Sequence, residues 1–523
     1  MPFRLSAARP CAFFAAALLL VLGAAACGGS NNPTYSSGTD GVPPSGGTVS
    51  EIGGAAPASG GSANGGVAGS LGGASGAGGV SGGAAGAAGA AGAAPNQYPT
   101  TCEDLGKVPA IPPACATILA TKSAPGGVLT DEAALDSPAI QAAINACPAG
   151  QAVKLAVSGE KNALLSGPLT LKSGVSLWID IGVTLFASRN PRDFDAKAGQ
   201  CSTGTGGSSA CFPLIAANAT TGAAVVGEGT IDGRGGEPII GQEPLTWWVL
   251  NDDAHLAGNL AAPRLVQTSG GKDFTLYKVH FQNAPKFHIV IGTSGFVVWG
   301  ITIKTDPTSP NTDGVDPSGA SNGVIAYNTI STGDDNIAIK GSGPAIDNII
   351  VAHNHFGKGH GMSIGSETNG GVKNVKVCDL SLDGTGNGLR IKSDASRGGL
   401  VQNVSYTDVC MRSVKNPFVF DAFYSSAAGT LIPNFQNISL HNVHVLGGGS
   451  AVFRGYDATH ITTLSMDNVI VDDALTYKEQ DTAFTFGPGP VNFTPPAGTG
   501  ITITKNITGT AAPKDCSAAW VTL

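Results

Sequence analysis

Short β-branched or aromatic runs recur along most of this chain, and that repeat narrows most what it can fold into. They begin near Phe274, Phe296, Val324, Ile349, Val375, Val404, Ile438 and Ile461, at intervals of 22, 28, 25, 26, 29, 34 and 23 residues. Irregular periods in the twenties, with several short strands per repeat, fit a right-handed parallel β-helix in which each repeat is one coil. Many runs follow an asparagine, as in Asn348-Ile349, Asn374-Val375, Asn403-Val404 and Asn437-Ile438. Leucine-rich repeats have similar periods, but their Leu-x-x-Leu-x-Leu skeleton is absent. A β-propeller needs longer, four-stranded units. Upstream, Ser137 to Cys147 has helical spacing, with Ser137 as N-cap and Pro138 at the first helical position. The predicted architecture is an all-β solenoid with a short N-terminal capping helix.

The rest of the chain frames that domain. The first 27 residues look like an export signal: Arg4 and Arg9, an apolar run from Ala12 to Ala26 too short to span a membrane, then Cys27. Leu22-Gly23-Ala24-Ala25-Ala26-Cys27 resembles a bacterial lipoprotein box, with Cys27 as the lipidated residue. Residues 28–97 are Gly, Ala and Ser with few large hydrophobes, a composition that reads as a disordered tether. At ~5–6 Å times the root of its length, such a tether reaches roughly 45 Å. Residues 98–523 are the expected β-helix domain. Eight cysteines remain there, an even number that in an exported chain suggests disulfides. Cys115–Cys147 and Cys201–Cys211 are the pairs suggested by position, and no cysteine or histidine spacing suggests zinc. The net charge of −8 lies wholly beyond residue 100, because Arg4, Arg9, Asp40 and Glu51 cancel. A strongly basic nucleic-acid binder is not expected on that balance, and an anionic substrate would need local cations.

Four segments carry the chemistry: Asn311-Thr312-Asp313-Gly314, Gly333-Asp334-Asp335-Asn336, Gly359-His360-Gly361 and Arg390-Ile391-Lys392. Asp313, Asp335, His360, Arg390 and Tyr424 follow one another at 22, 25, 30 and 34 residues. If each interval is one coil, they form a column with ~4.7–4.9 Å between rungs. Asn311 and Asp313 alternate and should share a strand face. Asp334 and Asp335 are adjacent, so the strand must bend at Gly333 for both to face a cleft. Such close carboxylates should raise one pKa and leave a protonated acid beside ionised neighbours, as a glycosidase needs. His360 lies between glycines, leaving room for a chain to approach. Arg390 can fork onto a carboxylate, and Lys392 adds a point charge. Singly these residues have blander readings. Asp316 reads as a turn residue, Trp247-Trp248 as packing under a loop, and an acidic cluster could bind Ca²⁺. Their joint order at the repeat spacing outweighs those readings.

In that order the motifs resemble those of the polygalacturonases, the pectin-cleaving glycoside hydrolases of family 28. The flanks agree: NTDGVDPSG from Asn311, STGDDNIAIK from Ser331, GHGMSIGSET from Gly359 and NGLRIKSD from Asn387. LSGPLTLKSGVSLWIDIGVTLFAS from Leu165 resembles the first turns of bacterial members, and the likeness runs from about Cys115 to Asp473. Asn336 stands where fungal and plant members usually have cysteine, as in bacterial endo-acting relatives. The resemblance implies inverting hydrolysis of α-1,4-linked galacturonate in polygalacturonate or pectin, without metal or cofactor. Asp334 would be the general acid, and Asp313 and Asp335 would hold and activate water. His360 would tune the acid. Asn311, Arg390, Lys392 and Tyr424 would bind substrate. The expectation is an exported endo-polygalacturonase, monomeric, held as a lipoprotein at the bacterial surface or in the periplasm, or else secreted, and meeting a membrane only through Cys27. An exo-acting relative, a Ca²⁺-dependent pectate lyase and a non-catalytic glycan-binding surface protein are the alternatives.

Overall fold

The structure is a computed structural model, and it describes residues 98–203, 209–252 and 261–522. Cys27, the export signal and the tether lie outside the described residues. The chain winds into a parallel β-helix. One face is an eleven-stranded sheet: β1 (Leu169–Thr170), β2 (Ile215–Asn218), β3 (Val266–Lys272), β4 (Ile289–Ser294), β5 (Val315–Pro317), β6 (Ile337–Ile339), β7 (Met362–Ile364), β8 (Asn387–Lys392), β9 (Asn416–Asp421), β10 (Gly449–Arg454) and β11 (Leu475–Gln480). The sheet runs in chain order, each strand pairing with that of the next coil. The remaining faces form a second sheet of twenty strands.

The aromatic and β-branched runs of the sequence stack on this second sheet. Leu276, Val298, Ile325, Val351, Val377, Tyr406, Leu440 and Met466 are successive register partners, all buried. A matching inward column on the first sheet runs Val266, Ile289, Val315, Ile337, Met362, Leu389, Phe418, Ala451. Each coil thus adds apolar rungs worth roughly 1.5–3 kcal/mol per buried large side chain. A one-residue slip would turn every rung outward.

The asparagines before the runs have a structural task. Leu400–Arg412 is one hydrogen-bonded strand of 13 residues, yet it bends at Asn403 and Asp408, both at φ +57°. Asn322, Asn348, Asn374, Asn403 and Asn437 hold the same left-handed corner on five coils, at φ between +53° and +60°. Asparagine tolerates this region better than most residues. The side chains also ladder: the Asn348 amide donates to Asn322 Oδ1 at 3.1 Å, Asn403 to Asn374 at 3.0 Å and Asn437 to Asn403 at 2.8 Å.

α1 (Ser137–Ala146) packs Ile140 and Ile144 into the core at the N-terminal end. It begins one residue earlier than its pattern suggests: Asp136 is the cap residue and Ser137 the first helical position. Asp136 makes no cap bond, because its carboxylate accepts from the Leu165 amide and Thr121 Oγ1, both at 2.8 Å. Both suggested disulfides are present, and Cys102–Cys378 and Cys410–Cys516 complete the set. These two join residues 276 and 106 apart, tying terminal segments to coils that sequence spacing could not pair. Trp247 is buried, and Trp248 covers Gly235 and Gly236 while its indole donates to Ala284 O at 2.9 Å, so the pair packs rather than forming a sugar platform.

Asn403→Ala should break two ladder bonds and strain a left-handed corner. We expect a loss of about 1–2 kcal/mol in chemical denaturation, with activity at low temperature unchanged.

Candidate active site

Successive coils bring the four motifs to the outer face of the eleven-stranded sheet. Val315, Ile337, Met362 and Leu389 are register partners in β5 to β8. Asp313, Asp335 and His360 each stand two residues before those partners, so they line up across three coils. The expected single column ends there. The next residue in that position is Asn387. Arg390 is level with Ser363 and Val419, and Lys392 with Asp421. Tyr424 lies past the end of β9, where its amide donates to Ser393 O at 2.9 Å. Coils differ in length, so equal sequence intervals do not give equal register. Long side chains close the gap instead.

Local backbone explains the presentation of the acids. Asn311 and Asp313 do not share a strand: β5 starts at Val315, and Asn311 occupies a left-handed turn at φ +53°. Thr312 Oγ1 ties that turn, donating to Ser309 O and accepting from the Gly333 amide, each at 3.0 Å. A side chain at Gly333 would collide with the Ser309 carbonyl, so close approach between coils, not bending freedom, requires glycine there. Gly359, at φ +132°, is packed against Asn336 and the Asp334 carbonyl, so its small size serves coil stacking rather than substrate access. Asn336 is fully buried and pins the coils, accepting from the Gly361 amide and donating to Ile330 O and Lys358 O.

The carboxylates sit in two different electrostatic settings. Asp334 Oδ1 meets His360 Nδ1 at 2.9 Å and accepts from the Asp335 amide at 2.8 Å. Burial pushes the Asp334 carboxyl up, but His360 and Lys392 outweigh it and hold the group below the usual range. Burial likewise disfavours charge on His360, yet Asp334 keeps its pKa above the ordinary imidazole value. In the free site the pair therefore holds its proton on His360. Asp335 is 1% exposed. Its Oδ1 accepts from Ser363 Oγ at 2.7 Å and Arg390 Nη1 at 3.3 Å, and its Oδ2 from Lys392 Nζ at 2.8 Å. Burial raises the Asp335 carboxyl and these two cations lower it further, for a net fall. The expectation that one member of the adjacent pair is raised is thus overturned: local donors exceed the mutual repulsion.

The raised carboxyls are one coil earlier. Lys340 Nζ bridges Asp313 Oδ2 at 3.0 Å and Asp316 Oδ2 at 2.9 Å. Burial, joined by the neighbouring Asp316, lifts the Asp313 carboxyl well above its usual range against the pull of Lys340. Burial lifts Asp316 to about 6. Asp316 is not a turn residue: it lies in β5, 1% exposed. Beneath Asp313, fully buried His288 donates from Nδ1 to the Asp313 carbonyl at 3.0 Å and accepts from Thr305 Oγ1 at 2.7 Å. Burial lowers its pKa to about 4, so it stays neutral.

Arg390 and Lys392 are mostly buried and point at Asp335, and the Tyr424 ring lies against both, 5.4 Å from the guanidinium carbon and 4.9 Å from the ammonium. They form a basic, aromatic wall beside the acids, and Asn311 lies partly exposed on the opposite side of Asp335's coil. Lys340, Asp316, His288 and Ser363 were missed by the sequence reading. Lys340 did leave a signal, a charge ending the apolar strand Ile337-Ala338-Ile339. Ligating atoms of Asp334, Asp335 and His360 lie within 4.8 Å of one another, close enough to surround a cation. The donor set argues against one, since Asp335 already carries two positive side chains and His360 Nδ1 is engaged with Asp334.

Asp334→Asn removes the partner that raises the His360 pKa. Histidine titration followed by NMR should then place His360 lower than in the parent protein; an unchanged or higher value would contradict the pairing.

Comparison with known proteins identifies the family. The model of Glycosyl hydrolases family 28 matches residues 147–480. The polygalacturonase of Ralstonia nicotianae is 45% identical over 485 residues, covering 80% of this chain and 91% of its own. The endo-polygalacturonase of Pectobacterium carotovorum subsp. carotovorum is 43% identical over 346 residues, covering 65% of this chain and 85% of its own. The solved polygalacturonase of Erwinia carotovora superposes with a TM-score of 0.67 at 40% identity, over 72% of this chain and 98% of that one. An exopolygalacturonase of Thermotoga maritima, at 0.59 and 20% identity over 76% of this chain and 93% of that one, shares the fold. The matched span holds all four motifs and the whole carboxylate cluster, and the chain belongs to family 28 of the glycosyl hydrolases.

Proposed function

We propose that this chain is an endo-acting polygalacturonase that hydrolyses α-1,4-linked galacturonate in pectin with inversion. One observation carries the reading: Asp334 paired with His360 stands beside a wall of Arg390, Lys392 and Tyr424, in a chain 43% identical to an endo-polygalacturonase. An acid with a proton-holding partner suits cleavage of a glycosidic bond. The cationic wall suits a substrate that carries a carboxylate on every ring.

In this reading the substrate carboxylate docks against Arg390 and Lys392 and lessens the pull of Lys392 on Asp334. Exclusion of water raises the proton affinity of Asp334 further. The proton then passes from His360 Nδ1 to Asp334 and on to the glycosidic oxygen as the bond to the anomeric carbon breaks. Water attacks that carbon from the opposite face, Asp313 takes its proton, and Asp335 helps to hold it. Asn311 and Tyr424 contact the sugar chain. No metal or cofactor takes part. The enzyme is exported, acts as a monomer and is tethered through a lipid on Cys27.

Asp334→Asn should cut release of reducing ends from polygalacturonate by roughly 10²–10⁴-fold. Near-normal activity would sink the mechanism. Sizing the products of the parent enzyme early in digestion tests the mode of attack: a spread of oligomers is expected, whereas monomer or dimer alone would mean exo action. Unsaturated, ultraviolet-absorbing ends that vanish with chelator would mean a lyase. Incorporation of labelled fatty acid, lost in Cys27→Ser, tests the anchor.

A further inference from the structure

Two carboxylates are assigned above to the attacking water, and their surroundings are opposite. Asp335 receives a hydroxyl and two full cations on its two oxygens. Asp313 receives one ammonium on Oδ2, and its Oδ1 is buried without a partner among the described residues. That ammonium is shared, because Asp316 Oδ2 holds Lys340 as closely, and among the described residues Asp316 Oδ1 is also buried without a partner. One site has two cations on one carboxylate; the other has two carboxylates on one cation. A base must be willing to take a proton, and proton affinity falls as cations and donors are added.

We propose that Asp316 and Lys340 are positioning residues for Asp313: Lys340 clamps one oxygen of the base, and Asp316 draws off half of that clamp so that Asp313 remains basic. The inference rests on the reading of Asp313 as the base. Asp335, already holding three donors, then orients the water through its remaining acceptor capacity and does not deprotonate it.

The surroundings agree from each element packed against the cluster. Asp316 lies on β5, and Lys340 directly follows β6, bridged to Ser318 in parallel register. Phe287, before β4, covers the Lys340 ammonium at 4.4 Å and shields the cluster from water. Arg264, before β3, adds positive potential at Asp313 and Asp316. Asp334 and Asp335 add negative potential from the neighbouring coil, and Glu367 acts on Lys340. His288 is neutral at working pH and adds no charge. Without Asp316, these groups leave Lys340 wholly on Asp313, which moves it toward the low-affinity setting of Asp335.

The test is the acid limb of the kcat/KM–pH profile on polygalacturonate, which reports the base of the free enzyme. Asp316→Asn removes a neighbouring negative charge, so Asp313 ionises more easily and the limb should move to lower pH. Lys340→Met removes the clamp, so the limb should move to higher pH. Each shift should be about one unit, a tenfold change in rate on that limb, and the signs must be opposite. Lys340→Arg keeps the charge and should return the profile close to the parent. Shifts in the same direction, or an unmoved limb in Asp316→Asn with a parent-like melting temperature, would overturn the proposal. If Lys340→Met does not fold, Asp316→Asn and Lys340→Arg decide by the same criteria. Asp313→Asn separates the two layers. Full activity there refutes Asp313 as the base, whereas an inactive Asp313→Asn with unmoved limbs elsewhere refutes only the role of Asp316 and Lys340.

Discussion

Register between parallel coils is the constraint on which the rest of this protein depends. Every functional group sits on a coil whose neighbours are fixed by backbone hydrogen bonds and by apolar rungs such as Ile337, Met362 and Leu389. Because side chains alternate across a strand, the inward packing of those rungs forces Ser363 and Arg390 outward. The buried core and the cleft are two faces of one register. Asn336, hydrogen-bonded to two coils from the interior, and the asparagine ladder at the corner keep that register where the strands are short.

On that frame the site is organised by how cations are distributed among four carboxylates. Asp335 has two, Asp313 and Asp316 divide one, and Asp334 has an imidazole that can release its proton. In a buried site each distribution sets a different proton affinity, so chemically identical side chains differ in how readily they hold a proton. The overall acidity of the chain makes the local cations more conspicuous. Lys340, Arg390 and Lys392 all lie on the eleven-stranded sheet or directly beside it, facing the acids.

Much of this was legible in advance. Periodic β-branched runs gave the solenoid because only a coil that buries the same face on each turn needs them. The motif acids were legible because charged residues at coil spacing have few reasons to exist on a packed sheet. Asp316 was not, since Val315-Asp316-Pro317 has the composition of a turn, and only pairing with Lys340 reveals a buried ion bridge. The single column failed for a related reason. Coils range in length, and Arg390 comes level with Ser363 rather than His360 only after the loops between strands are placed. The raised pKa expected in the Asp334–Asp335 pair failed because adjacency is visible in sequence, while the donors that reverse it come from coils further along.

The sequence by itself determined the repeat, the inward rungs and the identity of the charged groups gathered at the candidate site, because periodicity and residue type are local properties. Tertiary structure alone decided which carboxylate is saturated with cations and which remains basic. That choice depends on contacts such as Lys340 with Asp313 and Lys392 with Asp335, across 27 and 57 residues. Charge stabilisation depends on distances of a few ångströms in a dry site, and those distances exist only once the coils have stacked.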